Sequence, residues 1–501
     1  MGKYLIGIDN GGTMVKAAIY DLDGKEICMS SKKLDMIMPK PGFTERNLDE
    51  LWQANMDAVK NVLKISKVTK EEVIGIATTG HGNGVYLVKE DGTQAYNGII
   101  STDSRAKEYV KEWYEDGTAE KMLPLTMQSV WAGQPLPILK WFKENDSKVL
   151  DDTKWIFSCK DYIRYKLTGE AYGEITDMSG SGLMNVRDSK YDLEMLEEYG
   201  LGELIDKLAP LKSSVDICGY ITKEVAELTG LKEGTPVAGG SMDTHVSAIA
   251  TGAVEKEKLC IIAGTWSINE YVDTVPVIDK DLFMTSFFPI KDHYLIMEGS
   301  PTSASNLEWF VTEIMKDIKL EDGCDIFELS NKLVESVKPD ESNIVFLPFL
   351  YGTNADIDAK SSFVGLSCWH KREHVLRSIY EGIVFSHRTH IDKLLKFRDK
   401  PEVARIAGGV VNSKIWIQMF ADILQIPIEV VKTKELGALG SAICAGLAVG
   451  EFDSFKTATD RMVEVDYICK PNKDNKAVYD KKYDLYKRTI EALNPIWKEF
   501  Y

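Results

Sequence analysis

Asp243 is a lone carboxylate in the stretch Gly239-Gly240-Ser241-Met242-Asp243-Thr244-His245, between an expected short strand at 235–238 and a small-residue helix at 246–251. A carboxylate between a Gly-rich strand end and a helix start is well located for a general base. Capping that helix is the other role open to it, and the two are compatible. A second constellation is residues 5–20, LIGIDNGGTMVKAAIY. Asp9 ends an apolar run, Gly11-Gly12-Thr13 form a turn, and Lys16 stands on the strand that leaves it. Gly-Gly supplies φ > 0 and clears side chains from the turn, so backbone N–H groups, the Thr13 hydroxyl and Lys16 can meet an anion at close range. Asp9 suits Mg2+, which prefers one or two carboxylates plus phosphate oxygens and water. An ordinary hairpin containing Gly-Gly fits the same residues. Asp103 and Arg105, two apart in an extended segment, point the same way and can present an acceptor and a fork of donors to hydroxyls. A solvated ion pair at a helix start is the alternative. His81 and Asn83 sit between glycines in the loop at 80–84, which suits close approach of a small ligand or makes a plain connection.

These residues need elements to hold them. Alternating and apolar runs predict strands around the 11–13 turn and a third strand at 25–31. Leu48, Leu51, Trp52, Met56, Val59, Val62 and Leu63 recur at helical spacing, and Val73–Thr78 reads as a buried strand entering the 80–84 loop. Residues 106–235 are mostly helical by pattern. Residues 259–273 then repeat the opening theme: an apolar strand, the turn Gly264-Thr265, and a second strand. Two Gly-Thr hairpins imply a duplicated α/β architecture whose turns can hold a polyphosphate from both sides. A later strand at 403–407 runs into Gly408-Gly409-Val410-Val411-Asn412-Ser413, where Gly-Gly lets a flat base or a ribose lie on backbone. A helix is expected at 375–395, with His370 and His374 four apart at its start. Metal ligation by that pair lacks an acidic third ligand. The tail from Thr457 is read as helical and polar.

At 501 residues the chain is long enough for two large domains, with a boundary expected at 252/253. The net charge of −17, from 60 Lys+Arg against 77 Asp+Glu, disfavours nucleic acid and anionic membranes as partners. None of the eight cysteines pairs at C-x-x-C spacing, and no signal-peptide or membrane-spanning stretch is seen, so the expected location is the reducing cytoplasm. No P-loop motif occurs, and no G-x-G-x-x-G follows a strand.

Together these motifs resemble the FGGY carbohydrate kinases, relatives of hexokinase, actin and the chaperone ATPases. The resemblance runs in order through IGIDNGGT, the loop near residue 80, TDSRA, GGSMDTH, AGTW and GGVVNSKIWIQMFADIL, over roughly residues 4–450. It implies an α/β fold of two ribonuclease-H-like (actin-like ATPase) lobes around a central cleft, with residues 1–252 as the sugar lobe and 253–501 as the nucleotide lobe. It implies ATP and Mg2+, with Asp9 toward the metal, Thr13 and Lys16 on ATP phosphates, and Gly264 and Thr265 as the second phosphate turn. Gly409, Asn412 and Ser413 correspond to the adenosine site, and Glu308 falls near a position some relatives use toward the nucleotide. His81, Asn83, Asp103 and Arg105 correspond to substrate positions, and Asp243 to the catalytic Asp. The 80–84 loop departs from the Q-M-H-G of D-xylulose kinases and the R-E pair of glycerol kinases, and Thr244 stands where glycerol kinases carry Gln. The motifs look most like those of the L-xylulose and 3-keto-L-gulonate kinases, with erythritol kinases nearby. A ketopentose-like substrate such as L-xylulose and a homodimer are the resulting expectations. A non-catalytic ATP-gated binding protein of the actin type is the competing class.

Overall fold

The computed structural model describes residues 2–320, 325–353 and 358–500. Cys324 lies outside them, and the other seven cysteines are all free.

The opening residues alternate β-branched and small side chains, and they form the hairpin β1 (Tyr4–Asn10) and β2 (Met14–Asp21). Their antiparallel register sets Asp9 opposite Lys16. β3 (Glu26–Lys33) pairs antiparallel with β2. Helix α1 (Leu48–Ser66) starts where the Asn47 side chain accepts from the N–H groups of Asp49 and Glu50, at 2.9 and 3.0 Å, satisfying two of the orphan donors of its first turn. Its apolar face, Leu48, Leu51, Met56, Val59 and Val62, is buried in one core with Ile6, Ile8, Val15 and Ile19. Each such side chain contributes roughly 1.5–3 kcal/mol on burial. β4 (Val73–Gly80) returns parallel to β1, bringing Thr79 beside Asp9 and Gly80 beside Asn10. After α2 (Cys159–Thr168) and the short α3 (Ile175–Gly180), β5 (Ile217–Tyr220) and β6 (Pro236–Ala238) complete a six-stranded sheet in the order β5-β6-β4-β1-β2-β3. Helix α4 (Asp243–Thr251) follows.

The second compact unit, made of Glu255–Tyr271, Met297–Lys434 and Val465–Tyr501, repeats this plan. β7 (Lys258–Ala263) and β8 (Ser267–Asp273) form an antiparallel hairpin. Helix α5 (Arg372–Leu394) leads to β9 (Val403–Ala407), which is parallel to β7. Helix α6 (Lys414–Leu424) leads to β10 (Ile428–Val431), parallel to β9. The order β8-β7-β9-β10 therefore matches β2-β1-β4-β6 strand for strand in direction. The duplicated architecture expected from two Gly-Thr hairpins is what the sheets show.

The chain then returns to the first unit through α7 (Leu436–Ala448), whose glycines and alanines let it lie against β1 backbone. A Cβ on Gly7 would come 1.8 Å from the Ala438 carbonyl oxygen, and one on Gly440 2.3 Å from that of Val246. The expectation of a purely helical tail is corrected here. Val465–Cys469 is a strand, β11, which pairs antiparallel with β10 at the sheet edge. Its residues alternate half-buried and exposed, so it lacks the apolar run that would have marked it.

Candidate active site

The turn after β1 is closed by Gly11 N–H donating to the Met14 carbonyl at 3.0 Å, and the Arg46 guanidinium donates to the Gly11 and Gly12 carbonyls. Neither glycine has a positive φ, contrary to the expectation from sequence. Their use is clearance: nothing lies within 4 Å of a Cβ built on Gly12. Thr13 is exposed beside it. Lys16 Nζ is 2.7 Å from Glu435 Oε2, just before α7, so this ammonium is already paired with a carboxylate. Among the described residues nothing donates a hydrogen bond to the Asp9 carboxylate, and Gly437 leaves it room: a Cβ there would stand 2.4 Å from Oδ2. Burial pushes Asp9 up to about 6, with Lys16 pulling the other way.

Where β4 ends, His81 N–H donates to the Asn10 carbonyl, and its Nε2 lies 2.8 Å from the Tyr86 hydroxyl. Burial, with Arg46 nearby, brings His81 down to about 3, so the imidazole is a neutral hydrogen-bonding group. Asn83 takes a left-handed φ of 62° and its Oδ1 is buried with no partner. Non-glycine residues in that region are strained and collect at ligand clamps.

Asp243 is the first residue of α4. The capping position belongs to Met242, which makes no side-chain cap, so the N-cap role is not what Asp243 does. Its Oδ1 accepts from Thr244 N–H at 2.8 Å, and the Gly82 N–H also reaches the carboxylate. Burial, then the neighbouring Asp9 and Asp177 carboxylates, push Asp243 up to about 7, a value suited to a base at neutral pH. Asp9, Asp243 and the 80–84 loop are thus brought together by the ends of β1, β4 and β6.

Asp103 and Arg105 turn to each other rather than outward. Arg105 Nε and Nη2 each lie 2.9 Å from the Asp103 carboxylate, Nη2 also reaches Glu45 at 2.7 Å, and Thr44 N–H takes Asp103 Oδ2. Both side chains are wholly buried, and the guanidinium lies over the rings of Phe43 and Trp141. Nε and Nη2 are thus engaged inside an aromatic-lined ion cluster, because Glu45 and the rings, remote in sequence, supply its partners, while Nη1 is buried without one.

Sequence reasoning missed a second buried cluster. Lys160 Nζ lies 2.8, 3.2 and 3.0 Å from Asp161, Glu174 and Asp177, all buried, and Arg164 joins Asp161 to the Gly239 carbonyl. Thr176 Oγ1 accepts from Met242 N–H and contacts Ser241 Oγ. This cluster braces the loop that carries Asp243. The available signal was three charges, Lys160, Asp161 and Arg164, falling on one helix among Tyr162, Ile163 and Leu167.

In the second unit, the Gly264 carbonyl accepts from Ala304 N–H and the Thr265 carbonyl from Ser305 Oγ, while the Thr265 side chain is exposed. Gly408 has φ 100°, and a Cβ there would meet the Ala263 carbonyl at 2.5 Å. Gly409 and Asn412 are exposed, whereas Ser413 is buried as the N-cap of α6 and donates to Asn331 at 2.7 Å. Glu308 is exposed on the helix Ser305–Trp309. No group of three or more His, Cys, Asp or Glu among the described residues could hold a metal, which includes His370 and His374. No helix among them is long and apolar enough to cross a membrane.

The duplicated α/β fold sets a Gly-Thr hairpin at the head of each sheet and gathers Asp9 and Asp243 at the strand ends of the first. The chain belongs to the FGGY family of carbohydrate kinases: its N-terminal domain matches at residues 4–250 and its C-terminal domain at 259–449. The L-xylulose/3-keto-L-gulonate kinase of Escherichia coli K12 is 34% identical over 495 residues, covering 98% of each chain. A probable L-xylulose kinase of Haemophilus influenzae is 34% identical over 498 residues, covering 98% of this chain and 99% of the relative. Among solved structures, a ligand-bound xylulose kinase from Lactobacillus acidophilus superposes with a TM-score of 0.92 at 24% identity, over the full length of both chains. Family membership decides for a kinase against the non-catalytic alternative.

Proposed function

We propose that the protein phosphorylates a ketopentose-like sugar, L-xylulose in the first instance, using ATP and Mg2+, with Asp243 as general base. The observation that carries the reading is Asp243 itself, a carboxylate pushed up to about 7 by burial and held by the Gly82 and Thr244 N–H groups. In this reading it accepts the proton of the attacking sugar hydroxyl as that oxygen approaches the γ-phosphoryl group in line. Phosphoryl transfer otherwise asks for positioning and charge stabilisation. His81 and Asn83 contact the sugar. Asp103 and Arg105 are the proposed partners of further sugar hydroxyls: Arg105 Nε and Nη2 hold Asp103 and Glu45, and its Nη1 is buried with no partner of its own. Thr13 and Lys16 serve the phosphates, Lys16 exchanging Glu435 for a phosphate oxygen. Gly264, Thr265, Gly409, Asn412 and Ser413 are the proposed nucleotide contacts of the second unit. Asp9, with no hydrogen-bond donor on its carboxylate, fits a cation site completed by phosphate oxygens and water. Bound there, Mg2+ would supply positive charge to the phosphate oxygens.

The choice of L-xylulose is supported by relatives named for L-xylulose and 3-keto-L-gulonate at 34% identity. It separates from erythritol, D-xylulose, 3-keto-L-gulonate and glycerol by a coupled ADP-release assay over those sugars. Turnover of L-xylulose with a kcat/KM at least tenfold above the others is expected, and preference for any of them overturns the substrate. We assign residues 1–252 to sugar recognition and 253–501 to the nucleotide, in a cytoplasmic homodimer. A single species of monomer mass in sedimentation contradicts the dimer.

A further inference from the structure

Beside the 80–84 loop lies a small cavity lined by Asn83, Pro135, Phe157, Ser158, Asp177 and Ser181 among others. The space open to the centre of a water molecule is about 10 Å³, room for one hydroxyl-sized group and not for a whole sugar. Two lining residues carry buried oxygens without a partner, Asn83 Oδ1 and Asp177 Oδ1. Both residues are more than nine-tenths buried, at 8% and 3% exposure. The other oxygen of Asp177 is well held, by Ser158 Oγ at 3.1 Å and Lys160 Nζ at 3.0 Å. The carboxylate is therefore fixed in place with one acceptor left over. Orphaned buried acceptors are rare in folded proteins, because each gives up its water without a replacement.

We infer that Asp177 and Asn83 form a receptor for one non-reacting hydroxyl of the sugar, making Asp177 a specificity-determining residue of this kinase. A single hydroxyl satisfies the pair. Its O–H donates to Asp177 Oδ1, and with the Asn83 amide rotated half a turn its oxygen accepts from Nδ2. The left-handed φ of Asn83 and the packing of Gly84 against Ile99, where a Cβ would come 2.2 Å from the carbonyl oxygen, hold the amide at this wall. Asn83 follows Gly82, and a Cβ on Gly82 would come 2.7 Å from the side chain of Met242, the residue before Asp243, so the receptor adjoins the proposed reacting end of the substrate. A site built to pair a hydroxyl rejects the analogue lacking it, because its own polar groups are then left bare.

The inference rests on the sugar-kinase reading above and is tested apart from the identity of the sugar. The measurement is kcat/KM for the sugar turned over best in the panel, L-xylulose by expectation, and for its analogues deoxygenated one at a time at each non-reacting carbon. In the wild type, one analogue is expected to lose on the order of 10²-fold or more. In Asp177→Asn and, separately, Asn83→Ala, the parent sugar loses activity through KM while that analogue changes little, so the penalty shrinks below about tenfold. Asn83→Ala leaves the Lys160 cluster intact and serves if Asp177→Asn does not fold. A wild type indifferent to every deoxygenation overturns the receptor. So do variants that weaken parent and analogues alike, the result expected if the cavity holds only a structural water. Failure of L-xylulose while another sugar turns over refutes the substrate assignment and leaves the same series to be read on that sugar.

Discussion

Asp243 owes its raised proton affinity to burial and to two other carboxylates. Burial comes first, Asp9 second and Asp177 third; the Thr244 and Gly82 N–H groups oppose them. As the proposed base it must be unprotonated to act, so kcat/KM is expected to fall as pH drops through about 7. Replacing Asp177 with Asn removes one of the charges that raise it and leaves Lys160 less compensated, and both changes lower the Asp243 pKa. The acid limb of the pH–rate profile in Asp177→Asn is therefore expected at lower pH than in the wild type. A limb that stays in place, or moves up, contradicts this account of its electrostatics. His81 lies far below this range and contributes no limb of its own near neutrality.

At the scale of elements, the site depends on strands that end together and a helix thin enough to approach them. The hairpins at 11–13 and 264–265, helix α1 and the strand–loop–helix around Asp243 were readable in the sequence. Period-2 and period-3.6 patterns and glycine spacing are local signals. The Asp103–Arg105–Glu45 and Lys160–Asp161–Glu174–Asp177 clusters were not, because their members meet only through the fold, up to 60 positions apart in chain order. β11 was missed because an edge strand buries little of either face. The close seat of α7 on Asp9 gives a prediction. Gly437→Ala drives a methyl group into the Asp9 carboxylate, so it is expected to lower kcat at least tenfold in the ADP-release assay. Gly12→Ala meets open space at an ordinary φ and is expected to change stability by less than about 0.5 kcal/mol. Equal activity of Gly437→Ala and wild type contradicts the packing argument.

For the molecule as a whole, the two units share one strand plan but divide the chemistry. Asp9, Asp243, the 80–84 loop and Lys16 belong to the first, and the second Gly-Thr turn and the 408–413 segment to the second. The chain also crosses back, since Glu435–Glu464 packs with the first unit although it follows most of the second in sequence. That return was not readable from a boundary at 252/253, because small-residue helices such as α7 declare close packing without declaring their partner. The central claim is that this assembly works through one base. The most direct test is turnover of Asp243→Asn, which keeps the shape of the side chain and removes its proton affinity, measured by ADP release with saturating ATP and the preferred sugar. A fall in kcat on the order of 10²–10⁴ is expected, with sugar binding retained in equilibrium titration. Turnover within a fewfold of wild type, with the sugar still bound, would contradict it.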